Sequence, residues 1–267
     1  MDNSNKYVTI ITGASSGIGF EIAKLYIGRG CKVYNLSRSD AKLNDIININ
    51  TDITKENEVH SAFEKIKKEC GKIDLLINNA GYGISGAIEF SKEEDSKKQF
   101  NVNLFGTLSC TKHAIPLLRK SKGKVIFISS AAAIFAIPFQ ALYSASKASI
   151  NIISQALANE LKAFDINVCA IQLGDIKTNF TASRHKNLTG DDIYNGVIEK
   201  SLKVMEKDEQ KGMEPAAIAE KIVKISERKR FKSIYTLGTK YKLFIFLSKI
   251  LPISLINNII AKIYIPK

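Results

Sequence analysis

The 267-residue chain is poor in the residues that build metal centres and disulfide scaffolds, with four cysteines and three histidines. Cys31, Cys70, Cys110 and Cys169 are widely spaced and form no CxxC pair, so neither a metal site nor a disulfide framework is expected. Each lies in or beside an apolar helix or strand pattern, where a reduced thiol serves as a small core residue, and this suits a cytoplasmic setting. No apolar run approaches the ~18 residues that span a bilayer. The polar opening, Met1 to Lys6, lacks the apolar segment of a secretory signal. The expectation is a cytoplasmic protein, at most peripheral to a membrane. Repeats and low-complexity linkers are also missing, and a chain of ~250 residues is ordinary for one α/β domain. The last scarcity is acid. From Arg228 to Lys267 there are nine Lys or Arg residues and no Asp or Glu, which supplies most of the formal charge of +13.

What is present is an alternation of short apolar strands with longer helical patterns. Strands are expected at Tyr7 to Ile11, Lys32 to Leu36, Ile46 to Ile49, Ile73 to Ile77, Lys124 to Ser129, Asn167 to Leu173 and Ser233 to Thr236. Helices are expected near Ile18 to Gly28, Lys55 to Cys70, Lys97 to Leu118, Tyr143 to Phe164 and Pro215 to Arg230. Several strands are apolar on both faces, as happens when helices cover both sides of a parallel sheet. The fold class is therefore α/β, a doubly wound Rossmann fold with a mostly parallel seven-stranded sheet, followed by a C-terminal helical extension. Residues 1–239 form the dinucleotide-binding domain and 240–267 the extension. The polar, weakly periodic stretch 178–212 is expected to act as a mobile lid.

After the first strand comes Thr12-Gly13-Ala14-Ser15-Ser16-Gly17-Ile18-Gly19, then an apolar helix pattern. Strand, glycine turn and helix make an anion site, because backbone N–H groups and the helix dipole point at a pyrophosphate. The second strand ends at Ser37-Arg38, where an acid would bind the 2′-hydroxyl of NAD and an arginine binds the 2′-phosphate of NADP. These residues favour NADP(H) over NAD(H). Further on, Tyr143 and Lys147 are four apart, which puts them on one helix face. An ammonium about 4 Å from a phenolate is worth ~4 kcal/mol at an effective dielectric of ~20, enough to bring a phenol from its pKa of ~10 into working range. Ser130 ends an apolar strand, where ligand crevices open.

The glycine turn, Asn78-Asn79-Ala80-Gly81, Asn103, Ser129-Ser130 and Tyr143-Ser144-Ala145-Ser146-Lys147 together resemble the classical short-chain dehydrogenase/reductase family, in register from about residue 6 to 240. The resemblance implies a catalytic set of Asn103, Ser130, Tyr143 and Lys147, with Ser130 and not Ser129 as the serine, and Asn103 holding a water that links the lysine to solvent. It implies cofactor contacts from Gly13, Ser15, Ser16, Gly17, Ile18, Gly19, Ser37, Arg38, Asp52 and Ile53. Asn79, Ala80 and Gly81 would line the ribose, with Tyr143, Lys147, Gly174, Ile176 and Thr178 at the nicotinamide end. The sequence departs from the pattern twice. Leu173-Gly174 stands where Pro-Gly is usual, and only a short segment separates Arg38 from Asp52, so the usual second helix is truncated.

The resemblance implies hydride transfer between nicotinamide and a ketone or secondary alcohol. The segments expected at the substrate end, Gly83 to Ile88, Ala131 to Phe139 and Phe180, are small or apolar, which suits a lipophilic steroid-like, retinoid-like, fatty or aromatic carbonyl. A 3-oxoacyl carrier-protein reductase is an alternative, since a basic surface attracts an acidic carrier. From another class, a non-catalytic dinucleotide-binding or membrane-associated interaction protein would keep the same fold. No nucleic-acid module accompanies the charge. In the tail, Lys240 to Ile250 and Pro252 to Ile263 read as amphipathic helices, suited to peripheral membrane contact, a subunit interface or a cover over the pocket. A homodimer or homotetramer is expected.

Overall fold

A computed structural model describes residues 6–178 and 180–265. Met1 to Asn5, Asn179 and the last two residues lie outside them, and with them most of the polar opening and Lys267. In chain order the elements are β1 (Val8–Thr12), α1 (Gly17–Ile27), β2 (Lys32–Ser37), β3 (Ile46–Asn50), α2 (Glu56–Cys70), β4 (Leu75–Asn78), β5 (Ile84–Ser85), α3 (Glu93–Phe100), α4 (Thr107–Ser121) and β6 (Lys124–Ser130). They continue with α5 (Ala141–Glu160), β7 (Asn167–Leu173), α6 (Phe180–Ser183), β8 (His185–Lys186), α7 (Val197–Gln210), α8 (Pro215–Ser226), β9 (Ile234–Leu237), α9 (Thr239–Ser248) and α10 (Ile253–Tyr264).

Seven strands pair in the order β3-β2-β1-β4-β6-β7-β9, and every pairing is parallel. This is the doubly wound order, and the strand sequence reverses beside β1, so a crevice opens at the carboxyl ends of β1 and β4. Strand alternation divides the core in two. Ile10, Tyr34, Leu76, Val125 and Phe127 face α2, α4 and α5, while Ile11, Val33, Leu75, Ile77 and Ile126 face α1 and α8. All ten are fully buried. Each such side chain contributes roughly 1.5–3 kcal/mol by leaving water, which is why β-branched and aliphatic residues dominate these strands.

The structure departs from the sequence reading at two places. The helix expected over Lys97 to Leu118 begins earlier, at Glu93, and winds to π pitch over Asn101–Gly106 before α4. Gly106 permits this close crossing, since a Cβ there would lie 2.8 Å from the Ile53 carbonyl oxygen. Within the stretch expected as a lid, residues 180–210 hold more structure than their composition suggests. β8 pairs with β5, and α7 buries Ile198, Leu202 and Met205. The basic tail is divided by β9, the strand expected at Ser233 to Thr236. Arg228, Lys229, Arg230 and Lys232 sit at the amino-terminal edge of the sheet, near Lys124, whose Nζ donates to the Arg228 carbonyl at 3.2 Å. Lys240, Lys242, Lys249 and Lys262 lie beyond the strand's other end, on α9 and α10. Between β2 and β3 the truncation expected of the usual helix is complete, and no helix remains. Asn48 fixes that connection by accepting from the Ala41 N–H at 2.9 Å and from Asn35 Nδ2 at 2.9 Å.

Candidate active site

At the carboxyl ends of the strands lies a cavity of about 840 Å³. It is lined at one end by the turn between β1 and α1. Gly13 and Gly17 take positive φ values of 70° and 58°, which only glycine adopts without strain. A Cβ on Gly13 would lie 3.0 Å from the Ala80 Cα, so the β1 and β4 turns touch backbone to backbone. The Thr12 hydroxyl joins them by accepting from the N–H groups of Asn79 and Ala80, each at 3.0 Å. No side chain caps α1 at Ser16, and its first turn carries no acid. A helix amino terminus left open in this way fits the pyrophosphate of a dinucleotide.

The expected cofactor residues line this cavity, except Gly19. Gly19 is a packing residue, since a Cβ there would fall 2.5 Å from Asn79 Nδ2 and 2.6 Å from the Gly13 carbonyl oxygen. The side chain of Asn79 serves the same turn, because its Nδ2 donates to the carbonyls of Thr12 and Gly13 at 3.0 Å. Arg38 is exposed at the end of β2, and its charge, with the Thr54 hydrogen bonds and Lys55, holds the Asp52 carboxyl below its usual range against the raising effect of burial.

Ser130 ends β6, and Tyr143 and Lys147 stand in the first two turns of α5. The Ser130 oxygen accepts from the Ala132 N–H at 3.1 Å and lies near enough to the Tyr143 hydroxyl to favour its ionised form. Ser129 is turned to a structural bond, donating to the Lys147 carbonyl at 3.3 Å. Burial pushes the Tyr143 phenol up to about 12, and the Ser130 hydroxyl and the Arg184 charge offset only part of that rise. Burial likewise pushes Lys147 down to about 8. The lysine Nζ donates to the Ile128 carbonyl at 2.9 Å and lies 5.9 Å from the Tyr143 ring centroid. The four-residue spacing alone would bring this ammonium close enough to lower the phenol. In the structure desolvation wins, and Tyr143 is held as the neutral, proton-bearing phenol.

Asn103 is buried on the π-helical segment and does not reach the cavity. Its Oδ1 accepts from the Tyr82 N–H, and its Nδ2 donates to the Tyr82 carbonyl, both at 3.0 Å, and to Ser146 Oγ at 3.1 Å. It thereby ties the Gly81-Tyr82 turn to α5, directly behind the lysine. Phe139 also leaves the cavity. It packs edge-on against Tyr194 at 5.7 Å beside Ala87 and Leu202, whereas Phe135, Ile137 and Phe180 do line the site.

Three features escaped the sequence reading. Arg184 is buried beside Tyr143 and Phe180 and is ion-paired with Glu209 of α7. It lies in an aperiodic polar stretch, and nothing in the sequence marks it. Tyr241 of α9 packs on Gly174, where a Cβ would fall 1.9 Å from its ring, and its hydroxyl donates to Asp175. The glycine that follows β7 is thus required by the C-terminal helices. Finally, Phe244, Leu247, Leu251, Ile256, Ile260 and Ile263 line the far end of the cavity, so α9 and α10 form its apolar wall.

The comparisons with known proteins agree with this geometry. The family model described as short chain dehydrogenase matches residues 7–189. A 3-ketodihydrosphingosine reductase from Bacteroides thetaiotaomicron is 41% identical over 226 residues, covering 83% of this chain and 84% of the relative. Among solved structures, a short-chain dehydrogenase from Streptomyces avermitilis superposes with a TM-score of 0.82 at 25% identity, covering 94% of both chains. ElxO with NADP bound superposes with a TM-score of 0.73 at 25% identity, covering 89% of this chain and 99% of the other. The chain belongs to the short-chain dehydrogenase/reductase family, oxidoreductases that act on CH–OH groups.

Proposed function

We propose that the protein reduces the ketone of a long-chain aliphatic substrate to a secondary alcohol, with NADPH as reductant and Tyr143 as proton donor. The observation that carries this reading is the continuity of the cavity, which runs from the glycine turn past Ser130 and Tyr143 to the apolar wall of α9 and α10. Its volume of about 840 Å³ is large enough for a cofactor's reactive end and part of a lipid chain. The Bacteroides relative is a 3-ketodihydrosphingosine reductase, and a long-chain keto amine of that kind suits the wall. Asp175, Asp208 and Glu209 also line the cavity, with Arg184 and Lys240, and provide a polar end for an amino and hydroxyl head group.

NADPH would be held by the glycine turn, by Ser37 and Arg38 at the 2′-phosphate, by Asp52 and Ile53 at the adenine, and by Asn79, Ala80 and Gly81 along the ribose. Gly174, Ile176 and Thr178 would hold its nicotinamide end. When bound it supplies a hydride to the carbonyl carbon. Ser130 positions the carbonyl oxygen against the Tyr143 hydroxyl, and the phenol gives up its proton as that oxygen becomes an alkoxide. Lys147 stabilises the phenolate so formed and is the group through which it regains a proton. Asn103 keeps the turn behind the lysine fixed. Side chains between Phe180 and Glu209 and between Lys240 and Tyr264 form the cover of the substrate end.

The reaction is tested by incubating the protein with NADPH and a long-chain 3-keto amine and following product by mass spectrometry. A product heavier by two hydrogens, formed as NADPH absorbance falls, supports the reading; unchanged ketone contradicts it. For the cofactor, Arg38→Ala weakens NADPH binding about 10- to 100-fold, the worth of one charge-assisted hydrogen-bonded contact, and leaves NADH within about twofold. Isothermal titration of both cofactors measures the split, and an equal loss for both removes the 2′-phosphate contact.

A further inference from the structure

The consecutive helices α9 and α10 carry two sets of apolar side chains. One lines the cavity through residues such as Leu247, Leu251 and Ile260. The other is exposed and carries Leu243, Phe246, Ile250 and Ile253, with exposures of 56%, 58%, 64% and 78%. None of these four lines the cavity. Leu243, Phe246 and Ile250 are spaced to form one stripe along α9. Ile250 lies in the turn to α10, and Ile253 opens that helix, so the exposed apolar side chains continue to the junction of the two helices. A contiguous apolar patch of this kind marks an interaction surface, not a solvated one.

The charge beside the stripe identifies the partner. Lys242 and Lys249 are exposed, and being seven apart they flank the stripe on one side. From Thr239 to Ile265 the two helices carry four lysines and no acid. Apolar side chains at the junction with lysines along the flank fit the interface of an anionic bilayer, where rings and aliphatic groups enter the acyl boundary and ammonium groups meet phosphates. Among the described residues no helix is long and apolar enough to cross a membrane, so the contact is one of lying on the surface.

We infer that α9 and α10 seat on an anionic lipid bilayer through Leu243, Phe246, Ile250 and Ile253, and that the cavity they wall receives its substrate from that bilayer. The seat stands independently of the proposed reaction, while delivery of a lipid substrate rests on it. The opposite side of α9 lines the cavity through Phe244 and Leu247, with Leu251 just after it, and α10 lines it beyond Ile253, so an aliphatic chain would pass from acyl chains to the apolar wall along these helices.

The experiment is vesicle flotation of the full chain and of a Phe246→Glu/Ile250→Glu/Ile253→Glu variant, with phosphatidylcholine vesicles alone and with roughly a third phosphatidylserine. The wild type is expected to float with the anionic vesicles at least about tenfold more than the variant, less with neutral vesicles, and less in high salt. NADPH affinity is expected to match in both, because these side chains line no part of the cavity. Light scattering of both proteins without lipid identifies a second copy of the chain as the rival occupant. Equal flotation of wild type and variant, or no flotation of either, overturns the proposal. A fall in the variant's oligomeric mass without a flotation difference assigns the face to a protein interface instead.

Discussion

Tyr143→Phe lowers the rate of ketone reduction by about 10²- to 10⁴-fold, the contribution expected of a positioned proton donor. The substitution removes one oxygen and little else. The Tyr143 ring packs at 5.7 Å from Phe180, a contact that phenylalanine keeps, so fold and cofactor affinity remain close to wild type. Loss of turnover with NADPH binding within about twofold therefore isolates the hydroxyl. A non-catalytic dinucleotide-binding protein would show no difference between the two chains. The protonation state adds a sign. With the phenol pushed up to about 12, Tyr143 carries its proton throughout the physiological range and is ready to donate it. Reduction then needs no ionisation of the tyrosine. The reverse oxidation needs the phenolate, is slow near neutrality and accelerates as pH rises.

Lys147→Met gives an inactive protein that is more stable than the wild type near pH 7. The lysine is buried in a desolvated position, which pushes it from 10.5 down to about 8. In the unfolded chain it titrates at its ordinary ~10.4. Below pH 8 both states are protonated, and the folded state carries the full burden of the buried charge, about 3 kcal/mol. Between pH 8 and about 10.5 the unfolded chain holds a proton that the folded one has released, so this group's contribution improves with rising pH. Methionine fills a similar volume without the charge but loses the hydrogen bond to the Ile128 carbonyl, about 1 kcal/mol. The net gain is about 2 kcal/mol at pH 7, read as a rise of roughly 4–8 °C in melting temperature for a chain of this size. The gap narrows as pH passes from 8 to 10.5, and melting curves across that range measure it. A variant that melts below the wild type at every pH would show that the lysine is a stabilising residue, not one retained for chemistry.

The parts of this protein that follow local rules were legible in its sequence. β1 and β4 are short β-branched or aliphatic runs, and the order of strand, glycine turn and helix located the dinucleotide end. Helical spacing puts Tyr143 and Lys147 on one face and Ser130 at a strand end, while their choice as a catalytic set comes from the resemblance to the family. What stayed hidden depends on contacts between distant segments. Nothing near Arg184 in the sequence marks its pairing with Glu209 of α7, and α7 itself is masked by the many lysines and acids on its exposed face. Asn103 could be placed in a helix, but its hydrogen bonds to the Tyr82 backbone arise from the π-helical winding of Asn101–Gly106. The phenol's shift reversed sign for the same reason. Spacing fixes that Tyr143 and Lys147 share a face, while the Ile128 carbonyl decides where the ammonium rests. The tail's role as cavity wall is set by Tyr241 packing on Gly174, a contact between residues sixty-seven positions apart in number.

The apolar wall gives the account its sharpest consequence, because α9 and α10 have a use in catalysis only if the substrate carries a chain long enough to reach them. The deciding measurement is kcat/KM with NADPH for a series of 3-keto amines of increasing alkyl length, with steroid ketones and 3-oxoacyl thioesters alongside. Each buried methylene adds about 0.8 kcal/mol, so kcat/KM rises roughly fourfold per carbon until the wall is filled and then levels off. A flat dependence on chain length, or a preference for the steroid or thioester, would contradict the assignment.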